Sequence, residues 1–223
     1  LGMCLKLHLL RNNVYESFNN DVFDKYSKIS KSELFKFSEE QKKALLKIKQ
    51  NKKIFSVHLL QGTTGSGKTM VYFKSIKDKL NQGYQALILL PEIGLTYEFE
   101  KKFEEFFGFN AAVWHSGISL KNKKIVWNGL ASGKIKVVIG ARSALFLPFK
   151  NIGEIVVDEE HDQSFKQDEG TIYNARDMAI TRAKFENIPI LLVSAVPSVE
   201  TYNNVKNKKY SFSRLIKRYK NAQ

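Results

Sequence analysis

The sequence predicts an α/β fold: an open, mainly parallel sheet flanked by helices on both faces. Three observations carry this. Six short apolar runs recur along the chain, at 57–60, 86–90, 111–114, 137–139, 155–157 and 190–193. They are continuous rather than alternating, as strands buried on both faces must be. Segments of helical periodicity lie between most of them, and such alternation implies parallel strands joined by crossovers. Finally, the 223 residues suffice for one such domain with an extension, or for two small ones, at roughly 100 to 200 residues per domain. Ligands of such sheets bind beyond the carboxyl ends of the strands, so the residues after each run are where chemistry is sought.

Taken in order, residues 1–36 are weakly periodic and read as an extension or the end of a preceding domain. The chain starts at Leu1, with Met3 close behind, which suits a tag scar or a cut within a longer gene. The short stretch at 5–10 carries Lys6 and His8 with no small-residue cleavage site after it, so it is neither a membrane span nor a secretory signal. Ser38 followed by Gln41 reads as a capping box that opens a helix of about a dozen residues, with Ala44, Leu45 and Ile48 on its apolar face. Further helices are predicted at 70–80, 98–107, 121–131 and 175–185. The globular part so defined is 37–205. The tail, 206–223, carries Lys206, Lys208, Lys209, Arg214, Lys217, Arg218 and Lys220 and no acid. It reads as a solvated linker or, alternatively, as an element that tracks DNA.

Composition narrows the function. The apolar fraction of 43%, with 16 Phe, 9 Tyr and 2 Trp, is enough to fill a core and excludes wholesale disorder. A net charge of +14 makes the chain a candidate for a polyanionic partner. A single cysteine, Cys4, allows neither a disulfide framework nor a thiolate zinc cluster within this sequence, and suits a reducing cytoplasmic setting.

Two motifs carry chemistry. Directly after the first apolar run, Gly62-Thr63-Thr64-Gly65-Ser66-Gly67-Lys68-Thr69 satisfies G-x-x-x-x-G-K-[ST]. Its glycines let the backbone curl until several N–H groups point into one concavity, and the following helix adds its positive end. Lys68 would reach the β- and γ-phosphates of a nucleotide, and the Thr69 hydroxyl would ligate Mg²⁺. The fifth run ends in Asp158-Glu159-Glu160-His161. There Asp158 would hold Mg²⁺ and Glu159 would orient and deprotonate an attacking water. Taken alone, this cluster can equally be a solvated acidic turn.

The two motifs resemble motifs I and II of the superfamily 2 nucleic-acid helicases. The segments between them are similar to one branch, the bacterial primosomal replication-restart helicases: Leu90-Pro91-Glu92-Ile93-Gly94-Leu95-Thr96, His115-Ser116-Gly117, Gly140-Ala141-Arg142-Ser143, Ser164-Phe165-Lys166-Gln167, Tyr173-Asn174-Ala175-Arg176-Asp177 and Ser194-Ala195-Val196-Pro197-Ser198. The resemblance implies a RecA-like P-loop NTPase lobe that uses ATP and Mg²⁺. In an intact enzyme that lobe would drive 3′-to-5′ unwinding and primosome assembly at stalled forks. It implies forked and single-stranded DNA, other primosome proteins and single-stranded-DNA-binding protein as partners, with no membrane.

Residue by residue, the resemblance gives Gln41 an adenine contact beside its capping role. It puts Pro91, Glu92, Thr96, His115, Ser116, Arg142 and Ser143 on the DNA backbone, though each also fits a cap or turn. It makes Phe165, Lys166 and Tyr173 part of an aromatic loop that senses single strand. Stacking there is worth roughly 1 to 3 kcal/mol per base, and local packing is the alternative use of the same rings. It assigns Glu160, His161 and Ser194 to the coupling of hydrolysis with movement, Ser194 being otherwise a helix cap.

The pattern is broken at Met70, Tyr97, Glu98, Ala141 and Val196, where the family commonly has Glu, Pro, Gln, Thr and Thr. Val196 removes a hydroxyl from the coupling motif, and Glu98 puts negative charge near the DNA path. The family's second lobe, with its catalytic arginines, and its zinc insert are expected outside this sequence, so negligible turnover is expected from these residues alone. Rival readings are another superfamily 2 translocase, such as a recombination or restriction motor, a DNA-binding scaffold that holds nucleotide without turnover, and a small-molecule P-loop kinase.

Overall fold

The computed structural model describes residues 18–27, 35–50, 54–168 and 172–218. Cys4 and the 5–10 stretch lie outside them, as do most of residues 1–36 and the tail beyond 218. Each of the six apolar runs forms a strand: β1 (Ser56–Gly62), β2 (Gln85–Leu89), β3 (Ala112–Trp114), β4 (Val137–Gly140), β5 (Ile152–Asp158) and, after a two-stranded hairpin of β6 (Lys166–Gln167) and β7 (Tyr173–Asn174), β8 (Pro189–Ser194). A further strand, β9 (Ser211–Leu215), closes the sheet, whose order is β3-β4-β2-β5-β8-β1-β9. Every pairing in it is parallel. The predicted fold class is the observed one.

The helices are α1 (Glu39–Gln50), α2 (Lys68–Leu80), α3 (Tyr97–Phe107), α4 (Leu120–Ser132), α5 (Ala175–Phe185) and α6 (Val199–Lys206). The capping box that opens α1 is present: the Ser38 backbone N–H donates to Gln41 Oε1 at 2.9 Å, and the Gln41 N–H donates to Ser38 Oγ at 3.3 Å. The strand sequences run apolar without alternation because both faces are covered. Leu59, Val157 and Leu192 point into a core that includes residues of α4 and α5, while their neighbours Leu60, Val156 and Leu191 point into a second core under α1, α2 and α3. Much of the second core is phenylalanine: Phe73 meets Phe99, Phe103, Phe106 and Phe107 with ring centroids 5.2 to 5.8 Å apart. Most of these pairs are edge-to-face, the arrangement the ring quadrupoles favour.

The reading of 206–223 as a tail needs correction, because β9 lies inside it. His58 to Gly62 of β1 pair with Ser211 to Leu215, and Leu215 is buried against the phosphate-loop end of the sheet. The exit from β9 is held by Glu40 Oε2, which accepts the N–H groups of Ile216 and Lys217. The strand was hidden because an edge strand is held by main-chain hydrogen bonds, which carry no side-chain signature, and its outer side tolerates Ser and Arg. Part of the amino-terminal stretch also docks on the domain. A 3₁₀ turn at Asn20–Tyr26 buries Phe23 beside Gly129 of α4, where a Cβ added to the glycine would come within 2.8 Å of the Phe23 ring.

Candidate functional site

β1, β8 and β5 are neighbours, so their carboxyl ends deliver three sequence motifs to one place. At the tip of β1 the chain turns through Thr63 to Ser66, closed by a Ser66 N–H bond to the Thr63 carbonyl at 3.1 Å. Gly67 then starts α2 at φ 83°, a left-handed conformation that costs glycine little and other residues much. Gly62 cannot carry a side chain, since a Cβ there would lie 2.5 Å from Ser66 Oγ. No side chain caps α2; the Met70 and Val71 N–H groups bond the Gly67 carbonyl, and those of Lys68 and Thr69 at the very start have no side-chain acceptor. This is the arrangement that binds phosphate. Thr63 and Thr64 are exposed, and Gly65, at φ 78°, and Thr69 are partly so.

Lys68 is buried, with Nζ donating to the Gly62 carbonyl at 2.7 Å and to that of Thr63 at 3.5 Å, and lying 4.0 Å from Glu159 Oε1. Gln41 is only 1% exposed and braces the loop from behind: its Nε2 donates to the Ser66 carbonyl at 3.3 Å while its Oε1 stays in the capping box. The amide thus serves the cap and the loop at once.

At the tip of β5, Asp158 is buried with both carboxylate oxygens engaged. Oδ2 accepts from the Tyr72 hydroxyl at 2.9 Å, and Oδ1 from the Glu159 N–H at 3.0 Å. Burial, reinforced by the charge of Glu159, pushes the Asp158 carboxyl up to about 6, while those hydrogen bonds and Lys68 restrain the rise. Burial and the same carboxylate drive the Tyr72 phenol far above its ordinary range. Glu159 itself is half-exposed and sits at φ 49°, which turns its carboxylate toward Lys68 and His161. A non-glycine residue held at positive φ stores strain of the order of 1 kcal/mol or more, which the surrounding contacts must offset.

From this point the cluster divides. His161 Nδ1 lies 2.8 Å from Ser194 Oγ at the tip of β8 and 3.6 Å from Glu159 Oε2, so it bridges two strand tips. Glu160 turns the other way and is almost fully buried. It accepts from Arg176 Nη1 (3.2 Å), the Ser198 N–H (2.7 Å), Ser198 Oγ (3.1 Å) and Thr201 Oγ1 (3.0 Å). One carboxylate therefore ties the acidic motif to the first turns of both α5 and α6. Sequence reading named Glu160, carried Arg176 and Ser198 only inside longer motifs without a role, and missed Tyr72 and Thr201. Tyr72 could have been found, because it stands four residues after Lys68 on the same helical face. The partners of Glu160 could not, since they come from 16 to 41 residues away.

The proposed DNA-contacting residues form a rim, not a cluster. Pro91 is buried and precedes the 3₁₀ turn at Glu92–Gly94, in which Glu92 is exposed. Thr96 caps α3, accepting from the Phe99 N–H at 3.2 Å. His115 Nδ1 accepts the Gly117 N–H at 3.1 Å, Ser116 is exposed, and Ser143 Oγ accepts from Trp114 Nε1 at 3.1 Å. Arg142 donates to the Lys166 carbonyl and so pins the β6–β7 hairpin, leaving the Lys166 side chain exposed.

The aromatic loop requires a correction. Phe165, read as a base-stacking ring, is 1% exposed and belongs to the core, because the turn at Gln163–Phe165 folds it under the hairpin. Tyr173 is half-buried, edge-on to Phe146 at 5.6 Å.

The sequence pattern of the DEAD/DEAH box helicases matches residues 38–205. The chain belongs to the DEAD/DEAH box helicase family. Among curated relatives, this chain is 50% identical over 185 residues to a protein named Replication restart protein PriA of Rickettsia conorii, 46% identical over 168 residues to the protein of that name in Haemophilus influenzae, and 38% identical over 209 residues to that of Bacillus subtilis. These matches cover 83%, 75% and 93% of this chain, and 28%, 23% and 26% of the relatives. The chain thus spans about a quarter of their length. In structure, the Hef helicase domain of Pyrococcus furiosus aligns with a TM-score of 0.57 at 17% identity, covering 79% of this chain and 37% of that one. An ATP-dependent RNA helicase of Sulfolobus tokodaii, described as hypothetical, aligns at 0.57 and 19% identity over 82% of this chain and 54% of that one. These two likenesses concern the fold alone. Among the described residues no helix is long and apolar enough to cross a membrane.

Proposed function

We propose that this chain is the ATP-binding lobe of a DNA helicase that restarts stalled replication forks, moving 3′ to 5′ with other primosome proteins and single-stranded-DNA-binding protein as partners. One observation carries the nucleotide reading: Lys68, Asp158 and Glu159, 90 residues apart in sequence, converge beside a helix whose first N–H groups lack a cap. The relatives named for replication restart support the cellular role.

In this reading the N–H groups of Gly65 to Thr69 and the Lys68 ammonium hold the β- and γ-phosphates. Thr69 and Asp158 offer the oxygen donors that suit Mg²⁺, which when bound neutralises charge between the phosphates. Glu159, exposed enough to reach solvent and turned toward the loop, orients and deprotonates the attacking water. Gln41 steadies the loop through an amide that the cap and the Ser66 carbonyl already occupy, so no adenine contact is assigned to it. His161 and Ser194 link the acidic motif to the β8 tip, and Glu160 links it to α5 and α6, so a shift at Asp158-Glu159 reaches the hairpin that Arg142 pins. Arg142, His115, Ser116, Ser143, Glu92, Thr96, Lys166 and Tyr173 supply the DNA rim, whereas Pro91, being buried, does not.

The test is a titration of the chain with fluorescent ADP, with and without Mg²⁺, beside Lys68→Ala. Saturable binding that the variant loses supports the reading. Equal binding by both proteins would sink it.

A further inference from the structure

We propose that Tyr72 is a positioning residue for the divalent cation, its hydroxyl holding the Asp158 carboxylate in a prearranged orientation. This rests on the nucleotide reading above and assigns a residue that neither motif contains. The Tyr72 hydroxyl donates to Asp158 Oδ2 at 2.9 Å. It therefore braces the carboxylate at the tip of β5 from α2, 86 residues away in sequence, on the helix whose second residue is Thr69.

The hydroxyl is well placed to act as a fixed point. Tyr72 is wholly buried, and its ring stands edge-on to Phe73 at 5.2 Å inside the aromatic core. Its position is therefore set by packing, not by the charges it touches. Asp158 Oδ1 is fixed in turn by the Glu159 N–H, so the carboxylate is held at both oxygens and each retains a lone pair for a cation. Groups that orient metal ligands in this way typically govern affinity for the ion by roughly 10- to 100-fold.

The variant Tyr72→Phe removes one oxygen and keeps the ring. With fluorescent ADP as probe and MgCl₂ as titrant, the Mg²⁺ concentration at half-effect is expected to rise roughly 10-fold in Tyr72→Phe. Affinity for the nucleotide in EDTA should stay within about twofold, because phosphate capture is left to the loop and Lys68. An unchanged Mg²⁺ midpoint overturns the role of Tyr72 while leaving nucleotide binding intact. No binding by the parent chain, or undiminished binding by Lys68→Ala, overturns the nucleotide reading and this inference with it. A second measurement stands if Tyr72→Phe does not fold. With 3-fluorotyrosine placed at position 72, the ¹⁹F signal of the ADP-bound chain should move on addition of Mg²⁺ and return with EDTA. A signal that Mg²⁺ leaves in place overturns the proposal.

Discussion

Two regions at the carboxyl end of the same sheet carry the candidate function, and they are built on opposite terms. At the tips of β1, β5 and β8, charged groups are pulled inward. Lys68, Asp158, Glu160 and Arg176 are all buried, each against named partners. Along the rim, Thr96, Ser116 and Lys166 are exposed, and Arg142 and Ser143 partly so; Thr96 is tied within its own helix cap, Arg142 to the Lys166 carbonyl and Ser143 to Trp114. The difference follows from the ligands proposed for them. Phosphoryl chemistry needs groups fixed in a water-poor site, where electrostatic effects are large and an unpaired charge is costly. Contact with a nucleic-acid backbone needs only that cations and donors face outward.

Substitutions sharpen this contrast, beginning with the largest expected effect. Glu160→Ala leaves Arg176 buried beside an empty position and frees the first turns of α5 and α6, which should destabilise the chain by about 3 to 5 kcal/mol in denaturant unfolding. A loss below about 1 kcal/mol would show that the node is not structural. Phe165→Ala should cost about 3 kcal/mol or more in the same assay, as for other fully buried rings. If Phe165 instead stacked on bases, Phe165→Leu would keep stability and lose single-strand affinity.

Asp158 sets a pH dependence of known sign. Its folded value of about 6 stands above the ordinary 3.8, so between these pH values the folded chain holds more protons than the unfolded one. The stability this confers is complete below pH 3.8 and is lost as pH rises through 6, by about 3 kcal/mol in all. Relative to wild type, Asp158→Asn should therefore gain stability across that window in paired unfolding curves, and parallel curves would refute the burial argument.

His58 runs the other way. Burial first, and the charge of Lys47 second, hold it down to about 4 from an ordinary 6.5. Its contribution is present above pH 6.5 and is lost as pH falls through 4, so His58→Gln should flatten the acid limb. His58 Nδ1 lies 2.7 Å from Ser211 Oγ, so that limb reports on the docking of β9.

The smallest effect belongs to the rim. Arg142→Ala should change stability by less than about 1 kcal/mol, since its bond to the Lys166 carbonyl lies at the surface. It should also reduce the salt dependence of single-strand binding by roughly one phosphate contact. An Arg142 variant that unfolds the chain would move that residue into the buried class.

Much of this was legible beforehand, for reasons particular residues make plain. The five internal strands declare themselves because burial on both faces forces continuous apolar runs such as 86–90, and the edge strand β3 does so through the run at 111–114. The phosphate loop is equally legible, since Gly67 sits at a left-handed φ that costs other residues much and Gly62 approaches Ser66 and Leu215 closely. Phe165 shows the limit: a ring in a loop reads the same whether it turns out or in.

By itself, then, the sequence determined the α/β class, the positions of most strands and helices, and the loop and acidic tip for which phosphate and metal chemistry is proposed. These depend on local periodicity and on motifs a few residues long. Only the tertiary structure decided that Tyr72 braces Asp158, that Glu160 turns away from the loop to hold Arg176, Ser198 and Thr201, that Phe165 is core, and that β9 joins the sheet. Each of these depends on groups far apart in the chain, and a buried hydrogen bond or an edge pairing leaves no periodic trace in the residues that make it.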